Sequence, residues 1–212
     1  MQRRRLGELV ADTGWVIAGT GTNNAAVGNK DWHNPGNITA DDGSVANGDD
    51  VDSGQTTHWL EADDFGFSIP AGAAIDGVRV RVQKDAKWDD NTTDHTVQLL
   101  VAGTASGDNK ADTVTLWTTT PTNYNYGDSS NLWGLSLDPD DVNHADFGVG
   151  FRSQSSAKNA EQYVDAIWIK VWYTEAAASS TGGGVMWFMR DSMKKLLWLP
   201  KRRKLWAPET VL

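Results

Sequence analysis

The most regular alternation of apolar and polar positions lies at residues 163–174. Tyr163, Asp165, Ile167, Ile169, Val171 and Tyr173 form one set, and Val164, Ala166, Trp168, Lys170, Trp172 and Thr174 the other. Successive strand side chains point to opposite faces, so this pattern predicts a long strand with an Ile-Ile-Val stripe on one side and a mixed Trp/Lys face on the other. A second strand is predicted over 75–83, with Val78, Val80 and Val82 facing inward and Arg79 and Arg81 outward. Residues 96–101 follow as a third. At 147–151, Phe147, Val149 and Phe151 alternate with Gly148 and Gly150, which marks a strand at a close backbone approach. Shorter candidates lie at 14–20, 58–61, 65–68, 113–118 and 132–137.

Between these stretches the turn chemistry is dense. Residues 21–54 are rich in Gly, Asn and Asp and predict a packed surface excursion or a binding loop. Asp138 followed by Pro139 predicts an N-cap and a single helical turn. Seven to nine short strands with no long helix before residue 180 predict an all-β fold, an antiparallel, jelly-roll-like β-sandwich. The predicted layout is a basic N-terminal arm (1–13), the sandwich (14–175), an Ala/Ser/Gly linker (176–184) and a hydrophobic and basic anchoring segment (185–212). In that last segment Met186, Met189, Met193, Leu196 and Leu197 recur at helical spacing ahead of Pro200. Such a helix is about 22 Å long, too short to cross a bilayer but long enough to lie in a groove.

Charge divides along the same lines. Of the net −9, residues up to Ala178 hold 12 Lys/Arg against 26 Asp/Glu, and residues from Ser179 onward hold seven against two. An acidic body with basic extremities (Arg3, Arg4 and Arg5 at one end) suits docking onto an acidic partner and argues against nucleic acid on the main domain. The absence of cysteine removes disulfides, zinc-thiolate sites and thiol nucleophiles. The opening residues show no signal-peptide pattern, no stretch reaches the length of a membrane span, and no membrane association is expected.

Several segments, in order, carry a resemblance. They are Trp32 with Asn34-Pro35; Phe65 to Val80, including Pro70 and Gly77; Tyr126 to Gly134; Asp141-Val142-Asn143; Phe147-Gly148-Val149; and Val164 to Tyr173. Together they resemble β-sandwich proteins encoded among tailed-bacteriophage structural genes, over about residues 14–175. The resemblance implies a virion component without catalytic residues: a capsid decoration, a head or neck appendage, or a tail accessory protein. Its expected location is the virion, and its expected partners are other virion proteins and further copies of itself, with no cofactor. The anchoring segment is not part of the pattern. There Trp187, Phe188, Met193, Leu197, Trp198 and Trp206 are the candidate apolar anchors, and Lys201, Arg202, Arg203 and Lys204 the candidate charge contacts.

Candidate chemistry is sparse. Ser129, Asp141 and His144 superficially echo the blocks of an esterase, but the blocks lie too close together and lack the helices such a scaffold needs. Gly19-Thr-Gly-Thr-Asn-Asn24 follows a strand without a helix after it, so a dinucleotide loop is not expected. His33, His58, His95 and His144 lack metal-ligand spacing. Asp89, Asp90, Asn91 and Asp94 are the first choice for a weak calcium site. Trp32, Trp59, Trp88 and Trp133 are the candidates for stacking sugars, which would make the chain a carbohydrate-binding module for host recognition.

Overall fold

The longest alternating stretches form the longest strands, paired along most of their length in the middle of one sheet. The structure is a computed structural model and describes residues 9–88 and 91–176. Its strands are β1 (Val10–Asp12), β2 (Val16–Ile17), β3 (Thr20–Asn24), β4 (Trp32–His33), β5 (Ala46–Val51), β6 (Trp59–Asp63), β7 (Ala74–Ala86), β8 (Thr92–Val101), β9 (Thr104–Ser106), β10 (Thr122–Gly127), β11 (Gly148–Ser155) and β12 (Ala160–Thr174). One short helix, α1 (Pro139–Asn143), precedes β11. The first sheet runs β10-β7-β12-β5-β4, with β1 and β2 also paired to β12; the second runs β3-β6-β11-β8-β9. From β5 onward the chain alternates between the sheets, except at the β8–β9 hairpin, which stays in the second. The sub-orders β5-β12-β7-β10 and β6-β11-β8-β9 are those of a jelly roll, so the predicted sandwich is the observed fold.

The single alternation expected over 163–174 is broken. The β12–β7 register shifts between Val164 and Ala166, so a bulge reverses the facing of everything before it. Gln162 and Val164, not Tyr163 and Asp165, share the inner face with Ile167, Ile169 and Val171, and all five are fully buried. The polar stretch 21–54 is also no mere excursion. It supplies β4, β5 and most of β3, strands that form because neighbours pair with them rather than because they alternate. Conversely, 65–68, 113–118 and 132–137 are not strands; from these segments Trp117 and Trp133 turn inward to fill the core. Of the residues assigned to the N-terminal arm, Val10–Asp12 form a strand paired with Thr174–Trp172. Asp138 caps α1 as its sequence implies, accepting from the backbone N–H of Asp140 and Asp141, while Asp141 accepts from that of Asp138. The helix predicted over 185–199 and the whole anchoring segment lie outside the described residues.

The interior has two halves. One is apolar: Val78, Val80, Val82, Ile167, Ile169 and Val171 from the first sheet meet Leu60, Val97, Leu99, Val149 and Phe151 from the second. The other is polar, because alternation along β7 carries Lys84 onto the inner face, where it is only 1% exposed. Its ammonium donates to the Asp94 carboxylate on β8 and, at 2.6 Å, to the Tyr126 hydroxyl on β10. Asp94 also accepts from Tyr126 (2.8 Å), the Trp117 indole N–H (2.9 Å) and the backbone of Asp112 (3.1 Å). The rings of Tyr124 and Trp117 stand 4.3 and 4.5 Å from the Lys84 nitrogen, facing a positive charge with π density. Burial lowers the Lys84 pKa to about 8, against the opposing pull of Asp94. Burial and the Asp94 charge hold the Tyr126 hydroxyl protonated, and so able to donate.

Removing one member of this pair strands the other in the core. Lys84→Met or Asp94→Asn alone lowers stability by about 3–5 kcal/mol, and Lys84→Met/Asp94→Leu together recover most of the loss, as read from urea unfolding. The pH dependence has a defined sign. Between about 8 and the ordinary lysine value of 10.5, the unfolded chain keeps a proton that the folded chain has released. Stability from this group therefore rises with pH across that window and is flat below it. Unfolding midpoints at pH 7.5 and 9.5 show this rise in the wild type relative to Lys84→Met, which lacks it.

Candidate functional site

Most of the side chains singled out for chemistry are occupied in building the fold. Asp141 is the reciprocal partner in the α1 capping box, and His144 Nδ1 accepts from the backbone of Asp146 at 3.1 Å. The bond between Asp141 and His144 is backbone to backbone, and among the described residues no side-chain hydrogen bond joins Ser129, Asp141 and His144 as an esterase triad would need. Residues 20–24 of the glycine-rich segment are β3, paired with β6 rather than cradling a phosphate. Its glycines are there for packing: a Cβ at Gly19 would lie 2.3 Å from the Asp64 carbonyl oxygen, and one at Gly21 2.2 Å from that of Pro35.

Of the four calcium candidates, the two described residues, Asn91 and Asp94, are engaged with protein groups. Asp94 is buried on Lys84, with both carboxylate oxygens engaged inside the protein, and Asn91 is bonded to Ser156. Asp89 and Asp90 lie outside the described residues. Among the described residues no three His, Asp or Glu side chains converge as metal ligands. No helix there is long and apolar enough to cross a membrane.

The four tryptophans proposed for sugar stacking divide. Trp32 and Trp133 are core residues, 2% and 0% exposed, and their indole N–H groups donate to the His58 and Val78 carbonyls. Neither has a face to offer. Trp59 is partly exposed and lies over Gly150, where a Cβ would stand 2.7 Å from the indole; the Arg152 guanidinium is 5.6 Å from its ring. Trp88 is 53% exposed, with the Lys87 ammonium 4.7 Å from its ring. Asn91 lines a small hollow shared with Trp88 and also the adjoining open cleft, of about 370 Å³. Ser53, Thr93, Thr113, Gln154 and Ser156 line that cleft, so its walls carry hydroxyl and amide groups with no catalytic constellation among them. An exposed indole beside such a wall can stack one sugar face and hydrogen-bond its hydroxyls.

Two further surface features are set by strand pairing, the second of them built from residues whose alternation already pointed outward. The pairing of β1 with the end of β12 places Leu9 against Glu175, whose backbone N–H donates to the Leu9 carbonyl at 2.9 Å. The chain therefore enters and leaves the sandwich at one corner. The second is the outer face of the first sheet, where Arg79, Arg81 and Lys170 alternate with tryptophans. Arg81 lies 3.9 Å from the Trp15 ring centroid, and Arg79 and Lys170 lie 5.4 and 5.0 Å from that of Trp172.

No protein-family model matches the chain, and no curated protein matches it. Among solved structures, one similar chain comes from the capsid asymmetric unit of cyanophage Pam1, at 14% identity and a TM-score of 0.31. The match covers 83% of this chain and 91% of that one. Another is the CBM22-1 xylan-binding domain from Paenibacillus barcinonensis Xyn10C, at 11% identity and a TM-score of 0.33, covering 74% and 85%. Likeness at this level says nothing of what the present chain binds.

Proposed function

We propose that the chain is a non-enzymatic structural protein of a phage virion, a capsid decoration, head or neck appendage or tail accessory protein. It docks onto other virion subunits through its C-terminal segment. The observation that carries this reading is the shared corner at Leu9 and Glu175. A self-contained acidic sandwich releases both of its basic extremities, Arg3–Arg5 and the segment from 185 onward, from one point. Two basic tethers at one corner of an acidic body suit attachment to an acidic neighbour, with the body held off the contact by its own charge. The tailed-phage resemblance of residues 14–175 supports the same reading. In this role Trp187, Phe188, Leu197 and Trp198 bury against the neighbour, and Lys201–Lys204 meet its carboxylates.

A second reading, carbohydrate recognition by a phage appendage, is favoured by the exposed Trp88 on its small hollow, which shares Asn91 with the neighbouring hydroxyl- and amide-lined cleft. It now rests on Trp88, and secondarily Trp59, since the other two candidates are enclosed.

Two measurements test these readings. A chain ending at Ala178 is expected to remain folded, with an unchanged urea midpoint, and to be missing from purified particles assembled in its presence; unaltered incorporation would overturn the anchoring role. On a glycan array, Trp88→Ala is expected to abolish the binding shown by the full chain. An array that the wild-type chain leaves empty removes the second reading.

A further inference from the structure

The outer face of the first sheet changes sign along its strands. Paired rows across β7 and β12 run Arg79 with Lys170, Arg81 with Trp168, Gln83 with Ala166, and Asp85 with Tyr163. The first two rows, with Trp15 and Trp172 beside them, are cationic and aromatic. Beyond Gln83 the face is mainly acidic, with Lys87 the cation there, paired to Glu161. Asp85 and Glu161 lie on the strands themselves, and Asp41 and Asp42 lie on the loop that closes over Asp165. Gly43 donates to both Asp165 oxygens at 3.2 Å. Gln83, with its amide nitrogen turned toward them, reaches Asp165 at 2.6 Å and Asp41 at 3.0 Å.

Lys170 is paired with Asp12 at 2.8 Å and Glu161 with Lys87, but the arginines and the remaining carboxylates do not neutralise one another within the chain. Among the described residues, no ion pair involves Arg79, Arg81, Asp41, Asp42, Asp85 or Asp165. The arginines donate only to the Gly127 carbonyl and the Asn125 side chain. The carboxylates crowd each other: burial raises the Asp165 pKa, backbone N–H groups of Gly43 and Asp42 oppose this, and the charges of Asp41 and Asp42 add to the rise, while Asp85 is raised by burial and then by Asp165. Arg81 and Asp85 are four residues apart on one strand, about 13 Å, with Gln83 midway between them.

We propose that this face is the contact between two copies of the chain, packed sheet to sheet about a two-fold axis that crosses the strands near Gln83. An axis in the contact plane and perpendicular to the strands reverses strand direction in the second copy. It sets Arg81 of one copy over Asp85 of the other, twice. An axis parallel to the strands would stack Arg79 and Arg81 on their own counterparts, which like-charge repulsion disfavours. Trp15, Trp168 and Trp172 supply the apolar area that the charges orient, as aromatic and Arg side chains do at interface centres. The chain's own C-terminal segment is the poorer occupant of the cationic half, because it carries seven Lys/Arg against two acids. The proposal does not depend on the virion reading.

Sedimentation equilibrium of the full chain tests it. A dimer is expected, weakened by added salt and weakened more than about tenfold by Arg81→Glu or by Asp85→Arg alone. The double variant Arg81→Glu/Asp85→Arg restores pairing, a rescue that misfolding or a different contact face would not produce. A chain that is monomeric at all concentrations overturns the proposal. So does a dimer indifferent to either single change, or one that disappears when the chain ends at Ala176.

Discussion

The sandwich depends on a lysine and an aspartate that meet across its interior. Alternation along β7 gives Lys84 no route to water, so its charge is tolerable only where a carboxylate waits on the opposite sheet. Asp94 supplies that carboxylate and is itself satisfied by Tyr126, Trp117 and the backbone of Asp112. One ion pair thus fixes β7, β8 and β10 relative to each other, and draws the long segment between β9 and β10 inward through Trp117. The apolar half of the core would tolerate some sliding of one sheet over the other. The polar half does not, since any shift that parts Lys84 from Asp94 leaves two unpaired charges in a dry interior. The same end of the core holds a second polar set, in which Thr57, Ser153 and Gln162 bond side chain to side chain.

The fold was legible where side chains alternate and obscure where backbone pairing decides. Val78, Val80 and Val82 announce β7, and Asp138-Pro139 announces α1. Nothing in Thr20–Asn24 or Ala46–Val51 announces a strand, because these segments have almost no apolar stripe. They are strands by virtue of β6 and β12 alongside them. The bulge at Val164–Ala166 was equally hidden. A period of two reads the same in either phase, and only the buried faces on either side of Asp165 reveal that the phase changes.

The candidate site was less legible, for a related reason. Composition identifies residues that bind things but not the side of the sheet on which they stand. Trp32 and Trp133 resemble surface indoles because glycines and asparagines surround them in sequence, yet each is enclosed with its N–H satisfied by a carbonyl. Asp94 resembles a loop ligand beside Asp89 and Asp90, and its partner lies ten residues away across the core. Trp88 keeps the exposure that its neighbours in sequence suggest. The charge reversal along the outer face of β7 and β12 becomes visible only once the register of the two strands is known.

The corner where the chain enters and leaves has a mechanical consequence. β1 lies antiparallel to the end of β12, with its hydrogen bonds directed across the strands. Tension between the two extremities therefore loads those bonds one pair at a time, in the manner of a zipper, and opens three residues before it reaches the body. β12 stays held by β7 along most of its length, so the first strand is a sacrificial seam that spares the jelly roll from a pull on its tethers.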